Sequence, residues 1–250
     1  MRYVARVTPL EDAQAFVLES CPPLGAVEVD RRAAVGLVLA AAVVATENVP
    51  PFDNTAVDGY AVRSADVADV PVELRVVGEL AAGVAPTVTV APGEAIRIMT
   101  GAPMPAGADA VVMVEDSERI GDHTVRLTRS VPAGAAVRRE GDDVRVGDEL
   151  FAAGTTITPA VAAVLASVNA ERVRGHRRAR VAVLSTGDEL VDDGSPLQVG
   201  QIRESNKTML AALLAECGCE VVDLGVVRDD EAELERVLRS AAADCDAIVS

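Results

Sequence analysis

Tryptophan is absent from this sequence, and aromatic side chains amount to three Phe and two Tyr, so few flat surfaces exist on which nucleic-acid bases could stack. Basic residues are in deficit: 23 Lys and Arg face 39 Asp and Glu, giving a net charge of −16. Such a charge repels phosphate backbones and anionic membrane surfaces, which excludes nucleic acid and membranes as partners. No apolar run is long enough to span a bilayer, because the longest, Ala33 to Ala45, falls short of roughly 20 residues. The first residues do not read as a secretory signal, and a cytoplasmic location is expected. Histidine is nearly missing. His123 and His176 lie far in sequence from Cys21, Cys217, Cys219 and Cys245, so no zinc framework is expected and the thiols read as buried or idle.

What is present is a chain of 250 residues, half of them apolar and mostly Ala and Val, enough for a sizeable core and for two domains. The first fifty residues read as helical. Thr8-Pro9-Leu10-Glu11 has the form of a capping box with Pro at the first helical position, and Asp30 precedes an Ala-rich stretch from Arg31 to Ala45. From Pro50 to Arg139 the texture becomes that of a small all-β module, with short strands over Val72–Val77, Thr87–Val90, Ala95–Met99, Ala110–Val114 and Thr124–Leu127 between Gly, Pro and Asp turns. Helix returns at Thr158-Pro159, again a cap followed by Pro, and Arg172 to Arg180 reads as a linker.

Beyond the linker the pattern is strand Val181–Leu184, helix Ser205–Glu216, strand Val221–Val227, helix Glu231–Ala242 and strand Ala247–Ser250. This β-α-β-α-β series opens a doubly wound parallel sheet, whose ligands belong at the carboxyl ends of the strands. At that rim stand Ser185, Thr186, Gly187, Asp188 and Glu189, a set suited to phosphate or metal. Asp229 and Asp230 follow the second strand; one caps the next helix and the other is free to reach the rim beside Glu189. Two carboxylates converging on a phosphate repel it unless a hard cation such as Mg²⁺ lies between them. Ser205 and Asn206 read as cap residues, at a helix N-terminus able to receive an anion.

The β module has candidates of its own. Residues 50–61 pack Asp53, Asn54, Thr55, Asp58 and Tyr60 into one stretch, with Asp58-Gly59 a hairpin signal. Thr100 leaves a strand into a stiff Pro/Gly loop, where it could orient an oxyanion, and Asp142-Asp143 is either a cation-binding loop or a turn.

Six stretches carry a resemblance: Pro-Phe-Asp-Asn-Thr-Ala-Val-Asp-Gly-Tyr-Ala at 51–61, Ile-Met-Thr-Gly-Ala-Pro-Met-Pro-Ala-Gly-Ala-Asp-Ala-Val-Val at 98–112, Gly-Asp-Asp-Val at 141–144, Leu-Ser-Thr-Gly-Asp-Glu-Leu at 184–190, Gly-Gln-Ile-Arg-Glu-Ser-Asn at 200–206 and Gly-Val-Val-Arg-Asp-Asp at 225–230. In this order and spacing the sequence resembles the MoeA-type molybdopterin molybdenumtransferases, relatives of the gephyrin E domain. Thr55, Val57 and Asp142 stand where Ser, Met and Glu are common.

The resemblance implies an α/β multidomain fold: a discontinuous helical dimerisation region over 1–50 and 141–178, a small β module over 51–140, and the first half of a molybdopterin-binding α/β domain over 179–250. It implies a homodimer that inserts molybdenum from molybdate into adenylylated molybdopterin with a divalent metal, Mg²⁺ or another, and releases AMP. By motif match Asp58, Thr100, Glu189 and Asp229 are the catalytic candidates. Ser185, Thr186, Gly187, Asp188 and Asn206 would contact the pterin substrate, and Asp143, Glu189, Asp229 and Asp230 the metal. In each adjacent acidic pair the key position is open to a shift of one. The family's strand corresponding to Ala247–Ser250 runs on into a phosphate-holding loop, basic residues and a final β domain, so weak pterin binding and little turnover are expected of these 250 residues. A non-enzymatic pterin-binding or scaffold module is the alternative. An adenylyltransferase or nucleotide-cleaving enzyme on the same α/β domain fits less well, for it would lack the β module.

Overall fold

The computed structural model describes residues 8–250, so the first seven residues of the expected helical region lie outside it. The chain forms two compact units: one comprises the chain up to Ala41 with Ala152–Ala162 and Arg172–Ser250, the other Ala42–Phe151 with Ala163–Glu171.

Helix α1 (Leu10–Ser20) starts one residue later than the capping-box reading: Pro9 is its N-cap, without any side-chain cap. Strand β1 (Ala26–Asp30) follows. The expected helix over Arg31–Ala45 does not form. Gly36 takes φ +86°, and the amides of Gly36, Leu39 and Ala40 bond to the carbonyls of Ile157, Thr155 and Arg174. Pairing with distant backbone and the preference of Val35 and Val38 for extended conformations outweigh the helix propensity of alanine.

The second unit is built on a six-stranded sheet made of β2 (Gly59–Val62), β3 (Val72–Leu80), β4 (Glu94–Ile98), β5 (Ala110–Met113), β6 (Ser117–Arg119) and β7 (Thr124–Leu127). The spatial order is β5-β2-β4-β3-β7-β6, antiparallel except for β3 with β4. Alternation along the strands sends Tyr60, Val62, Leu74, Val112 and Leu127 into one core cluster and Ala61, Leu80, Ile96, Ile98 and Val111 into another.

Strand β2 was hidden inside the stretch read as a turn. Its first residue must be glycine for space: a Cβ at Gly59 would lie 2.1 Å from the carbonyl oxygen of Val112 on β5. The expected strand Thr87–Val90 is coil. Val90 is buried, but its amide bonds to Ala106 and the loop at Gly107 presses against its carbonyl, so a loop takes the place of a partner strand.

Helix α2 (Pro159–Ser167) begins where expected, with the Thr158 hydroxyl accepting from Val161 N–H at 3.2 Å. The expected linker instead holds a strand, β8 (Arg172–His176), paired antiparallel with β1. The α/β series then runs as read: β9 (Arg180–Thr186), α3 (Asn206–Glu216), β10 (Glu220–Val227), α4 (Glu231–Asp244) and β11 (Ala247–Val249). The three strands are parallel in the order β10-β9-β11, with Val181 to Leu184 of the central strand buried. Strand β10 carries one extra residue: Val183 pairs with Asp223 but Ser185 with Val226. The bulge is fixed by Gly225 at φ +79°, whose N–H donates to the Asp223 carboxylate at 2.8 Å.

Entry into the sheet is anchored by Asp246, which accepts from the Arg177 guanidinium at 2.5 and 2.6 Å and from the Arg180 amide at 2.8 Å. The Arg177 bonds, then the Arg180 amide, hold its carboxyl down to about 2. Because the folded value lies below the unfolded one of about 3.9, its contribution to stability is complete above that pH and fades as pH falls towards 2. Denaturant titrations of Asp246→Asn should show lower stability than the unaltered chain at pH 7 and a gap that closes near pH 2; an equal gap at both would contradict the assignment.

Candidate functional site

In the β unit, Asp58 and Thr100 meet across the ends of β2 and β4. One carboxylate oxygen of Asp58 accepts from both the amide and the hydroxyl of Thr100, each at 2.7 Å. The amide bond, then the hydroxyl bond, lowers the carboxyl's affinity for its proton, and the guanidinium of Arg97 adds to the effect. Asp58 is thus held ionised and oriented. Thr100, expected to present its donors to an oxyanion, gives both to Asp58.

Neighbouring acids serve the backbone. Asp53 takes the Glu140 amide at 2.8 Å and the Arg139 guanidinium at 2.6 Å, bonds that lower its pKa. Asp142 accepts from the Arg139 amide at 2.6 Å, the turn form of the two readings for that loop. Asp143 is ion-paired with Arg138.

In the α/β unit the rim holds a cavity of about 540 Å³, lined among others by Gly187, Asp188, Asp192, Asp193, Gln201 and Arg228. It lies at the carboxyl ends of β9 and β10, where the loop from β9 returns and Gly187 N–H donates to Val227 at 3.2 Å. Gly187 is required twice over: its φ is +145°, and a Cβ would lie 2.6 Å from a carboxylate oxygen of Glu189, which folds back over it.

The other rim candidates divide. Asp230 caps α4, accepting from Glu233 N–H at 2.8 Å, which leaves Asp229 as the uncommitted acid of that pair. Ser185 donates to Glu204 at 3.0 Å. Neither Ser205 nor Asn206 caps α3: Ser205 makes no side-chain cap bond, and the Glu204 carboxylate takes Lys207 N–H at 2.6 Å instead. Burial pushes the Glu204 carboxyl up, but bonds from Lys207, Ser185 and Thr208 outweigh it and the net shift is down. An internal carboxylate therefore already occupies the helix terminus expected to receive an anion. Thr186 is exposed at the end of β9.

Lys207 is the sole lysine of the chain and is buried. Its ammonium donates to Asp223 at 3.0 Å and to Asp192 at 3.3 Å. Burial opposes its charge, yet the two carboxylates prevail and its pKa rises; that of Asp223 falls, through the Gly225 amide first and Lys207 after burial. The lone lysine in an acidic chain was the available signal, but its partners lie on other elements.

Among the described residues no three His, Cys, Asp or Glu side chains converge as a metal cluster. Mg²⁺ needs no such cage, since one or two carboxylates complete a site with substrate phosphates. Asp188, Glu189 and Asp229, whose carboxylates make no hydrogen bond or ion pair among the described residues, fit that requirement; Asp143 and Asp230 are engaged elsewhere. The four cysteines are unpaired, two exposed and two half-buried, and no helix of the described residues is long and apolar enough to cross a membrane.

Together these features define a mixed α/β protein that joins a β module bearing an oriented carboxylate to a parallel sheet with an acidic cavity at its carboxyl rim. Residues 8–169 match the family model of the MoeA N-terminal region, domains I and II, and residues 182–250 that of a probable molybdopterin binding domain. The chain belongs to the MoeA family. It is 43% identical over 226 residues to the molybdopterin molybdenumtransferase of Nostoc sp., covering 89% of this chain and 52% of that protein. It is 38% identical over 242 residues to the enzyme of the same name from Haemophilus influenzae, covering 96% and 60%. The crystal structure of the molybdopterin biosynthesis moeA protein from Pyrococcus horikoshii OT3 superposes with a TM-score of 0.87 at 33% identity, covering 97% of this chain and 66% of that one. The chain thus spans between about half and three fifths of the length of these two curated relatives.

Replacing Lys207 with Met leaves Asp192 and Asp223 without their shared cation. Because both carboxylates are partly in water, the loss should be about 1–3 kcal/mol, read as a fall in melting temperature of a few degrees for a chain of this size. An unchanged melting curve would show that the ammonium is not a structural tie.

Proposed function

We propose that this chain supplies part of an enzyme of molybdenum insertion, in which molybdenum from molybdate enters adenylylated molybdopterin and AMP is released, and that the 250 residues alone turn over little. The observation that carries the reading is the Asp58 carboxylate, held ionised by both donors of Thr100 on a module whose family relatives are named molybdenumtransferases. A scaffold would need none of Asp58, Thr100, Glu189 and Asp229, which this chain carries together, so the non-enzymatic alternative is disfavoured.

The cavity of the α/β unit would receive the pterin phosphate. Of its acids, Asp192 is neutralised by Lys207 and Asp193 is engaged by the Ser195 amide at 2.9 Å, which leaves Asp188 and Arg228 to face the substrate. Arg228 would bind phosphate oxygens, and Gly187 keeps the backbone free of a side chain where they approach. Glu189 and Asp229, with Asp188, would hold a divalent cation, which supplies charge neutralisation at the phosphoanhydride when bound. Asp58 would orient the group undergoing exchange or accept its proton.

AMP release from adenylylated molybdopterin by a chain extended past Ser250 to the length of its relatives, with molybdate and Mg²⁺ supplied, tests this. Asp58→Asn and Glu189→Gln should each slow release by about 100-fold or more, and chelation of the metal should stop it; rates equal to the unaltered chain in both variants would defeat the assignment.

A homodimer and a cytoplasmic location belong to the same reading. Helix α1 has no buried residue, and Leu10, Val17 and Leu18, which share one side of the helix, are 67%, 56% and 75% exposed, a face suited to a second copy. Sedimentation equilibrium should give a dimer that Val17→Asp with Leu18→Asp converts to monomer; a dimer unaffected by the pair would place the interface elsewhere.

A further inference from the structure

A second cavity, of about 530 Å³, lies wholly within the β unit and uses none of the residues assigned to the reaction. Its walls come from Tyr60 on β2, Val76 to Glu79 on β3, Arg97 on β4, Arg119 on β6, and Asp122 with His123 in the β6–β7 turn. Two backbone features open it. Strand β3 has an extra residue between Val76 and Gly78, and a Cβ built on Gly78 would meet nothing within 4 Å.

The chemistry of the cavity is set by two guanidiniums that are oriented but not neutralised. Arg97 donates Nη1 to the carbonyls of Gly59 at 2.8 Å and Ile98 at 3.2 Å, and lies 5.4 Å from the centre of the Tyr60 ring. Arg119 donates Nε to Gly121 and Nη2 to the Asp122 carbonyl, both at 3.2 Å. Neither forms an ion pair with a carboxylate among the described residues, whereas Arg75, Arg126, Arg129, Arg138 and Arg139 of the same unit each do. In an acidic chain, two arginines fixed by neutral carbonyls around one hollow leave N–H donors for a dianion. The carboxylates of Glu79 and Asp122 also line the cavity and would accept hydrogen bonds from hydroxyls. The volume falls within the range of small-molecule sites and exceeds the need of a bare oxyanion.

We infer that this cavity binds a phosphate monoester bearing hydroxyl groups, its phosphate between Arg97 and Arg119 and its hydroxyls towards Glu79 and Asp122.

Calorimetric titration of the 250-residue chain with ribose 5-phosphate, inorganic phosphate and ribose tests the inference. Ribose 5-phosphate should bind saturably and more tightly than inorganic phosphate, with no detectable binding of ribose. Arg119→Gln should weaken it about tenfold or more, the loss of one charge-assisted hydrogen bond. Arg97→Lys, which keeps the charge but loses the fork, should weaken it while the circular dichroism spectrum stays unchanged; Arg129→Gln should have no effect. Absence of saturable binding, equal affinity for inorganic phosphate, or affinity unchanged in both Arg119→Gln and Arg97→Lys would overturn the inference.

Discussion

One buried ammonium keeps the acidic rim of the α/β unit together. Lys207 sits at the start of α3 and reaches Asp223 on β10 and Asp192 on the cavity wall, so a helix, a strand and a loop share one cation. Without it, two carboxylates would face each other at the edge of a low-dielectric core. The Glu204 carboxylate performs the complementary task next door, collecting the Lys207 amide and the Ser185 hydroxyl. The charges of this cluster are therefore satisfied within the protein, and Asp188 and Arg228 of the cavity lining are left able to meet a ligand.

The β unit solves a different problem, that of bringing distant chain segments to one point. Strand β2 is sandwiched between β4 and β5 so closely that Gly59 admits no side chain. That proximity sets the carboxylate of Asp58 against Thr100, 42 residues away. Close packing at a glycine and orientation of an acid are two aspects of the same strand placement.

Much of the α/β unit was legible because its signals are local. Buried runs such as Val181–Leu184 and the cap ahead of Glu231 lie within a few residues of the elements they specify. Arg31–Ala45 was misread for the opposite reason: its alanines favour a helix, while the bonds that decide its shape run to Thr155, Ile157 and Arg174. The strand at Arg172–His176 was likewise invisible, since its basic residues suggest a linker and only β1 makes it a strand. At the site, composition could nominate Asp58, Thr100 and the rim acids but could not pair them. Motif order alone lifted Asp58 above a turn residue, and no local feature announced that Glu204, rather than Ser205 or Asn206, would cap α3.

The extra residue in β10 makes the arrival of Arg228 at the cavity a matter of parity. Side chains alternate between the faces of a strand, so the bulge between Asp223 and Val226 reverses the face of everything downstream. Counting by twos from Asp223 would put Val227 on the same face; the extra residue puts it on the other, opposite Thr186 and buried. The segment length is thus an odd-or-even instruction, and it is fixed by the backbone amide of Gly225 returning to the Asp223 carboxylate.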